Sequence, residues 1–239
     1  FMPDSLKVKS KYIPYIYSDE EIRKIMHYAD NLIIREQKYH PTSFQLKVPM
    51  VIRVLYGCGT RLGETLSLRR KDVDFKSGTI FLKKTKFSKE RVIPVHESLL
   101  VILERYCLTL GILHNPEAFL FPGRNPKHHY TTRQMASWFS EILRLADIDQ
   151  REKGPHERGA CLHCFRHLFV LKSMQQLEAA GRPVDMNDLL LPTYLGHDHL
   201  IDTDQYMRFS GLQVPEAMDA FETFTAGLIP HVEVPYEEE

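Results

Sequence analysis

Thr79-Ile80-Phe81-Leu82 and Arg91-Val92-Ile93-Pro94-Val95 are short runs rich in β-branched and aromatic residues, and Lys83 to Glu90 between them is polar and basic. Runs of this kind suit a pleated, half-buried surface, so the stretch predicts a β-hairpin with a long charged tip. Away from it the apolar residues recur at helical spacing. The expected fold class is therefore α+β in one domain, mainly α with a small antiparallel β-sheet.

Upstream of the hairpin, Ser18-Asp19-Glu20-Glu21 has the form of a capping box, with Glu21 three residues after the N-cap serine. The helix it opens carries Ile22, Ile25, Met26 and Ala29. A second helix is expected from about Phe44 to Tyr56, stopping at Gly57-Cys58-Gly59, and a short one over Glu64 to Leu68. Downstream, helices are expected over Glu97–Leu110, Thr131–Leu145, Cys161–Ala180, Asn187–Leu195, Thr203–Phe209 and Pro215–Leu228. Residues 1–17 mix lysines, tyrosines and prolines and read as an extended arm. The opening Phe1-Met2 has the look of a junction, so a longer natural chain is expected.

With 239 residues, 43% hydrophobic and 26% charged, the chain can bury a sizeable core. It has no apolar run approaching the ~20 residues of a membrane span, and no signal peptide is expected. Four scattered cysteines, Cys58, Cys107, Cys161 and Cys164, do not make a disulfide framework, and a cytoplasmic setting is expected. Thirty-one basic residues balance thirty-one acidic ones, but unevenly. From Arg61 to Arg91 ten basic residues face four acids, a surplus of six, whereas from Glu216 onward there are seven acids and no Lys or Arg. The field that attracts a polyanion is local, so a neutral total does not exclude one.

Four pieces contain the parts needed to handle a phosphodiester. Gly59-Thr60-Arg61-Leu62-Gly63-Glu64 places an arginine between a glycine turn and a helix. The hairpin tip carries Lys84, Lys86 and Lys89. His163-Cys164-Phe165-Arg166 spaces an imidazole and a guanidinium for one helix face. Leu195-Gly196-His197 is followed nine residues later by Tyr206. Each piece alone is weak; their joint occurrence in this order is not.

Taken together, the pieces resemble the tyrosine recombinase or phage integrase family, over roughly Ser18 to Ser210. That family combines a Gly-x-Arg-x-x-Glu box, a hairpin lysine before a strand like Arg91-Val92-Ile93-Pro94, a His-x-x-Arg, a Leu-Gly-His and a tyrosine nine residues on. The stretches between Arg166 and Leu195 and over Asp147–Ala160 are longer than in compact members. The hairpin is one residue longer as well, so Lys84 remains an alternative to Lys86 as the catalytic lysine.

The resemblance implies site-specific DNA strand cleavage and rejoining. In it Arg61 and Arg166 hold the charge on phosphate, where two forked guanidiniums act more directionally than lysines would. Glu64 orients Arg61, although an ordinary surface pair is an equal reading of that spacing. Tyr206 is the nucleophile, His163 its base, Lys86 the acid for the leaving oxygen, and His197 a hydrogen-bond donor to the phosphate. Lys84, Lys89 and Arg91 are assigned to DNA contact. No metal and no cofactor are implied, because the cations are side chains.

The implied organisation places a linker or arm from an N-terminal DNA-binding domain at 1–17, the catalytic domain at 18–211, and a C-terminal helix with an acidic tail at 212–239. In the family such a helix docks on a neighbour. The implied partners are double-stranded DNA, further copies in a homotetramer, and accessory DNA-bending proteins, with no membrane and in a bacterial or phage setting. The alternatives are a type IB topoisomerase-like enzyme and a catalytically silent DNA-binding module. Cys161-Leu162-His163-Cys164 with His156 is half of a zinc site, but no second pair has suitable spacing, so two small packing residues are the preferred reading.

Overall fold

The computed structural model describes residues 14–32, 43–83, 90–149, 159–179 and Tyr194. Contacts divide the chain into two units, one of residues 1–170 with 194–196, the other of residues 171–193 with 197–239. The first unit holds most of the described residues and is mainly helical with a small antiparallel sheet, as expected; the sheet has three strands where two were foreseen. The second is described over residues 171–179, the last turns of a helix.

Helix α1 spans Asp19–Asp30 and begins with the capping box foreseen at Ser18 and Glu21. Its buried face is Ile22, Ile25, Met26 and Ala29. Helix α2, Ser43–Cys58, runs through Pro49, and Val48, Val51, Ile52, Val54 and Leu55 are all buried, which marks it as the central helix. It packs on α1, on α3 (Leu62–Ser67) and on α4 (Glu97–Thr109). Helix α5, Thr132–Leu145, is capped by Thr131 and Gln134 and packs on α1 and α3. Helix α6 spans Cys164–Ala179 and starts three residues later than expected. Residues 161–163 form a turn instead, closed by the Cys164 N–H on the Cys161 carbonyl at 2.9 Å.

The hairpin strands are β2, Thr79–Leu82, and β3, Arg91–Pro94, paired so that Ile80 faces Ile93 and Leu82 faces Arg91. Ile80, Leu82 and Ile93 are buried and Val92 is exposed, the two-residue alternation of a sheet with one wet side. A strand not foreseen, β1 at Val73–Asp74, pairs with β2. Gly78, at φ +66°, completes the turn between them, where Asp74 accepts the N–H groups of Lys76 and Ser77.

One expectation shifts at the N-terminal edge of the domain. Tyr17, placed in the arm, is 2% exposed and packs against Phe139 and Phe165, with ring centroids 6.5 and 5.2 Å away. Its hydroxyl donates to the Cys161 carbonyl at 3.0 Å, and burial pushes its ionisation well above the usual phenol range. Residues from Pro14 onward therefore belong with the packed unit. The hairpin tip, the expected helices at Asn187–Leu195, Thr203–Phe209 and Pro215–Leu228, and the acidic tail lie outside the described residues, Tyr194 excepted.

Candidate active site

The site is built on the three-residue turn between α2 and α3. Gly59 takes φ +58°, and its N–H reaches back to the Leu55 carbonyl at 3.0 Å, ending α2 in a left-handed cap. A side chain there would be excluded twice over. The backbone angle disfavours it, and a Cβ would lie 2.4 Å from the Phe169 ring. That ring stacks on Tyr194 at 5.3 Å, and the Tyr194 hydroxyl donates to the Cys58 carbonyl at 3.0 Å.

Two residues further on, Arg61 is the N-cap of α3. Glu64 reaches back to accept the Arg61 backbone N–H at 3.0 Å and its Nη1 at 2.9 Å. The sequence spacing thus forms the pair it suggested, but not as a surface pair, since the Glu64 side chain is 7% exposed. Glu64 also accepts both terminal nitrogens of Arg91, at 2.8 and 3.3 Å. Burial acts to raise the Glu64 pKa, and the hydrogen bonds from Arg91 and Arg61 together with the Arg91 charge outweigh it, holding the carboxyl below its ordinary value.

Arg166 comes from α6, 107 residues away from Gly59 along the chain, and donates Nη1 to the Gly59 carbonyl at 3.0 Å. It is 2% exposed. Its neighbour Phe165 fixes the helix by entering an aromatic group with Tyr17, Phe139 and Tyr56, at centroid distances of 5.2, 5.6 and 6.4 Å. His163 precedes the helix and is exposed, unlike Arg166, so the two do not share a helix face in the simple sense of their spacing. Its carbonyl accepts the Arg166 N–H at 3.0 Å, and its ring stands edge-on to buried His167 at 4.8 Å.

Of the residues singled out in the sequence, Arg61, Glu64, Arg91, His163 and Arg166 lie in the first unit; Arg61, Glu64, Arg91 and Arg166 are joined at or beside this turn, and His163 is linked to it through Arg166. Lys84, Lys86, Lys89, His197 and Tyr206 lie outside the described residues. Arg91, expected to contact DNA, is directed at Glu64. Next to the tip, Lys83 pairs with buried Asp72 and sits over the Phe81 ring. Glu117, outside the segment, pairs with Lys71 and Arg69 and offsets part of its basic surplus.

The Cys161 and Cys164 sulfurs share a hydrogen bond at 3.5 Å and are not joined in a disulfide. Cys164 is buried, as a packing residue would be, but Cys161 is exposed, which corrects that half of the packing reading. Among the described residues no three His, Cys, Asp or Glu side chains gather as a metal site, and His156 is not one of those residues. No helix among the described residues is long and apolar enough to cross a membrane.

Arg61 lies in the turn whose Gly59 carbonyl holds Arg166, and guanidiniums are suited to groups with several anionic oxygens. The chain belongs to the phage integrase family, whose sequence profile matches residues 16–210. It is 28% identical over 219 residues to a Sinorhizobium fredii protein named as an integrase/recombinase, covering 87% of this chain and 66% of that one. It is 25% identical over 209 residues to the tyrosine recombinase XerA of Pyrococcus horikoshii, covering 87% and 62%. The chain thus spans somewhat under two thirds of the archaeal relative and about the same share of the bacterial one. Among solved structures, a XerH site-specific recombinase in a post-cleavage complex with a palindromic difH substrate matches at a TM-score of 0.65 and 20% identity, covering 90% of this chain and 56% of that one. XerA recombinase matches at 0.61 and 18%, covering 95% and 67%. These two likenesses concern the fold.

Proposed function

We propose that the protein carries out site-specific DNA recombination, cutting and rejoining strands through a 3′-phosphotyrosyl bond on Tyr206. The observation that supports this reading is that Arg166, from α6, is held at 3.0 Å on the Gly59 carbonyl of the turn that carries Arg61. Attack at phosphorus builds negative charge on the non-bridging oxygens. Donors already fixed at that position stabilise it without reorganising, typically by about 3–4 kcal/mol per donor.

In the reaction, the Tyr206 oxygen forms a bond to phosphorus as the bond from phosphorus to the 5′ oxygen breaks. A free phenol has a pKa of about 10 and needs a base. His163 takes the proton, and its exposure at the start of α6 supports access to DNA. Lys86 gives a proton to the leaving 5′ oxygen, and His197 donates a hydrogen bond to the phosphate. The phosphotyrosyl bond keeps the energy of the broken one, so a 5′ hydroxyl reverses the step without ATP. The partner is double-stranded DNA in the cytoplasm, engaged by a homotetramer in which residues 212–239 dock on a neighbouring copy, with accessory bending proteins at the site.

The test is a duplex carrying the DNA site at which the protein recombines, nicked beside the cut so that religation fails, incubated with the full-length protein and run on a denaturing gel. A covalent adduct that disappears in Tyr206→Phe while DNA affinity holds is the expected result. An adduct surviving in Tyr206→Phe removes Tyr206 from the role. Relaxation of plasmids lacking any such site would indicate topoisomerase activity instead.

A further inference from the structure

Arg91 opens β3 directly after the lysine-bearing tip, yet only 10% of its side chain is exposed. Its two terminal nitrogens lie 2.8 and 3.3 Å from the two Glu64 oxygens, a forked arrangement that a lysine cannot reproduce. The same two oxygens accept the backbone N–H and Nη1 of Arg61 at 3.0 and 2.9 Å. Glu64 therefore receives four N–H groups from two arginines. Arg91 Nε is buried and, among the described residues, has no hydrogen-bond partner, which leaves Glu64 as the group that holds this guanidinium.

Counting charge gives the fork a purpose. One carboxylate between two guanidiniums leaves one positive charge over. The arginine better placed to present it is Arg61, at 29% exposure against 10% for Arg91. Without Arg91, Glu64 would neutralise Arg61 one to one and be freer to move. With it, Glu64 is pinned from the sheet side, and the Arg61 guanidinium is pinned in turn.

Resting on the recombinase reading for the identity of the anion, we infer that Arg91 is a positioning residue, not a DNA contact. Through Glu64 it fixes the Arg61 guanidinium, and it ties to that guanidinium the strand that follows Lys84, Lys86 and Lys89. The hairpin base and the arginine that meets the phosphate are then one electrostatic unit.

The experiment compares Arg91→Met and Arg91→Lys with the full-length wild type on the nicked duplex, measuring adduct formation at saturating DNA and, separately, DNA affinity against salt. Arg91→Met is expected to slow adduct formation by roughly 10- to 100-fold, the scale of a misplaced reacting group, with Arg91→Lys in between. DNA affinity and its salt slope should stay near wild type, and Arg91→Met combined with Glu64→Gln should be no slower than the slower single variant. Wild-type cleavage at saturation together with a salt slope reduced by about one would make Arg91 an ordinary phosphate contact and overturn the inference.

A second readout needs no DNA: the Glu64 carboxyl, followed by carbon-13 labelling, should titrate at higher pH in Arg91→Met than in wild type. An unmoved titration also overturns the inference. Absence of any adduct from the wild type would sink the recombinase reading, and the Glu64 titration would still decide whether Arg91 holds Glu64.

Discussion

Glu64 and Glu117 each collect two cationic side chains, in opposite surroundings. Glu64 takes Arg61 and Arg91 with its side chain 7% exposed; Glu117 takes Lys71 and Arg69 with 63% exposed. Both carboxyls are held below the ordinary carboxylate value. For Glu117 the hydrogen bond from Lys71 is the leading cause, whereas for Glu64 the arginines must first overcome burial. Around Glu117 the chain is already fastened by backbone bonds, Arg70 to Ala118 at 2.9 Å and Lys71 to Pro116 at 3.0 Å. At Glu64 the carboxylate itself joins α3 to Arg91 of β3. An equal number of charges therefore makes a structural junction in one place and a solvated cluster in the other.

Glu64→Ala would break the comparison most sharply. Leaving two mostly buried guanidiniums without their carboxylate should lower the unfolding free energy by about 3–5 kcal/mol, read from urea denaturation. A loss below about 1 kcal/mol would mean that both arginines simply turn to water, and that Glu64 behaves like Glu117 after all.

A smaller effect should appear with pH. Because the folded pKa of Glu64 lies below its unfolded value of about 4.3, its contribution is fully present above that value and is lost as pH falls through the folded pKa. The stability gap between wild type and Glu64→Gln should accordingly narrow on acidification below about pH 5. A gap independent of pH would show that packing, not charge, distinguishes the two. The smallest effect belongs to Glu117→Gln, expected to leave the urea midpoint where it is at moderate salt. A clear drop there would erase the distinction.

The same contrast bears on what a sequence makes visible. The capping box at Ser18, the hairpin strands and the Arg61–Glu64 pair depend on residues a few positions apart, so local spacing suffices to read them. The second arginine on Glu64 comes from 27 residues away, and its arrival depends on how the sheet packs. Its place in a Lys- and Arg-rich run made DNA contact the natural reading. Strand β1, two residues long, has too few side chains to show a period. Helix α6 begins late because the turn at residues 161–163 uses the backbone, a choice that apolar spacing does not record. Tyr17 looked like part of a polar arm for a similar reason, since its partners Phe139 and Phe165 come from distant helices.

Tyr17 also sets where this domain can be cut. Composition suggests trimming at Ser18, where the capping box starts, but that cut would remove a nearly fully buried ring from between α5 and α6 and leave the Cys161 carbonyl without its hydroxyl. A protease acting ahead of Pro14 would leave the ring in place. One acting after Tyr17 would vacate a tyrosine-sized space beside the turn that carries His163. The packed part of the domain therefore begins upstream of its first helix by more than a cap.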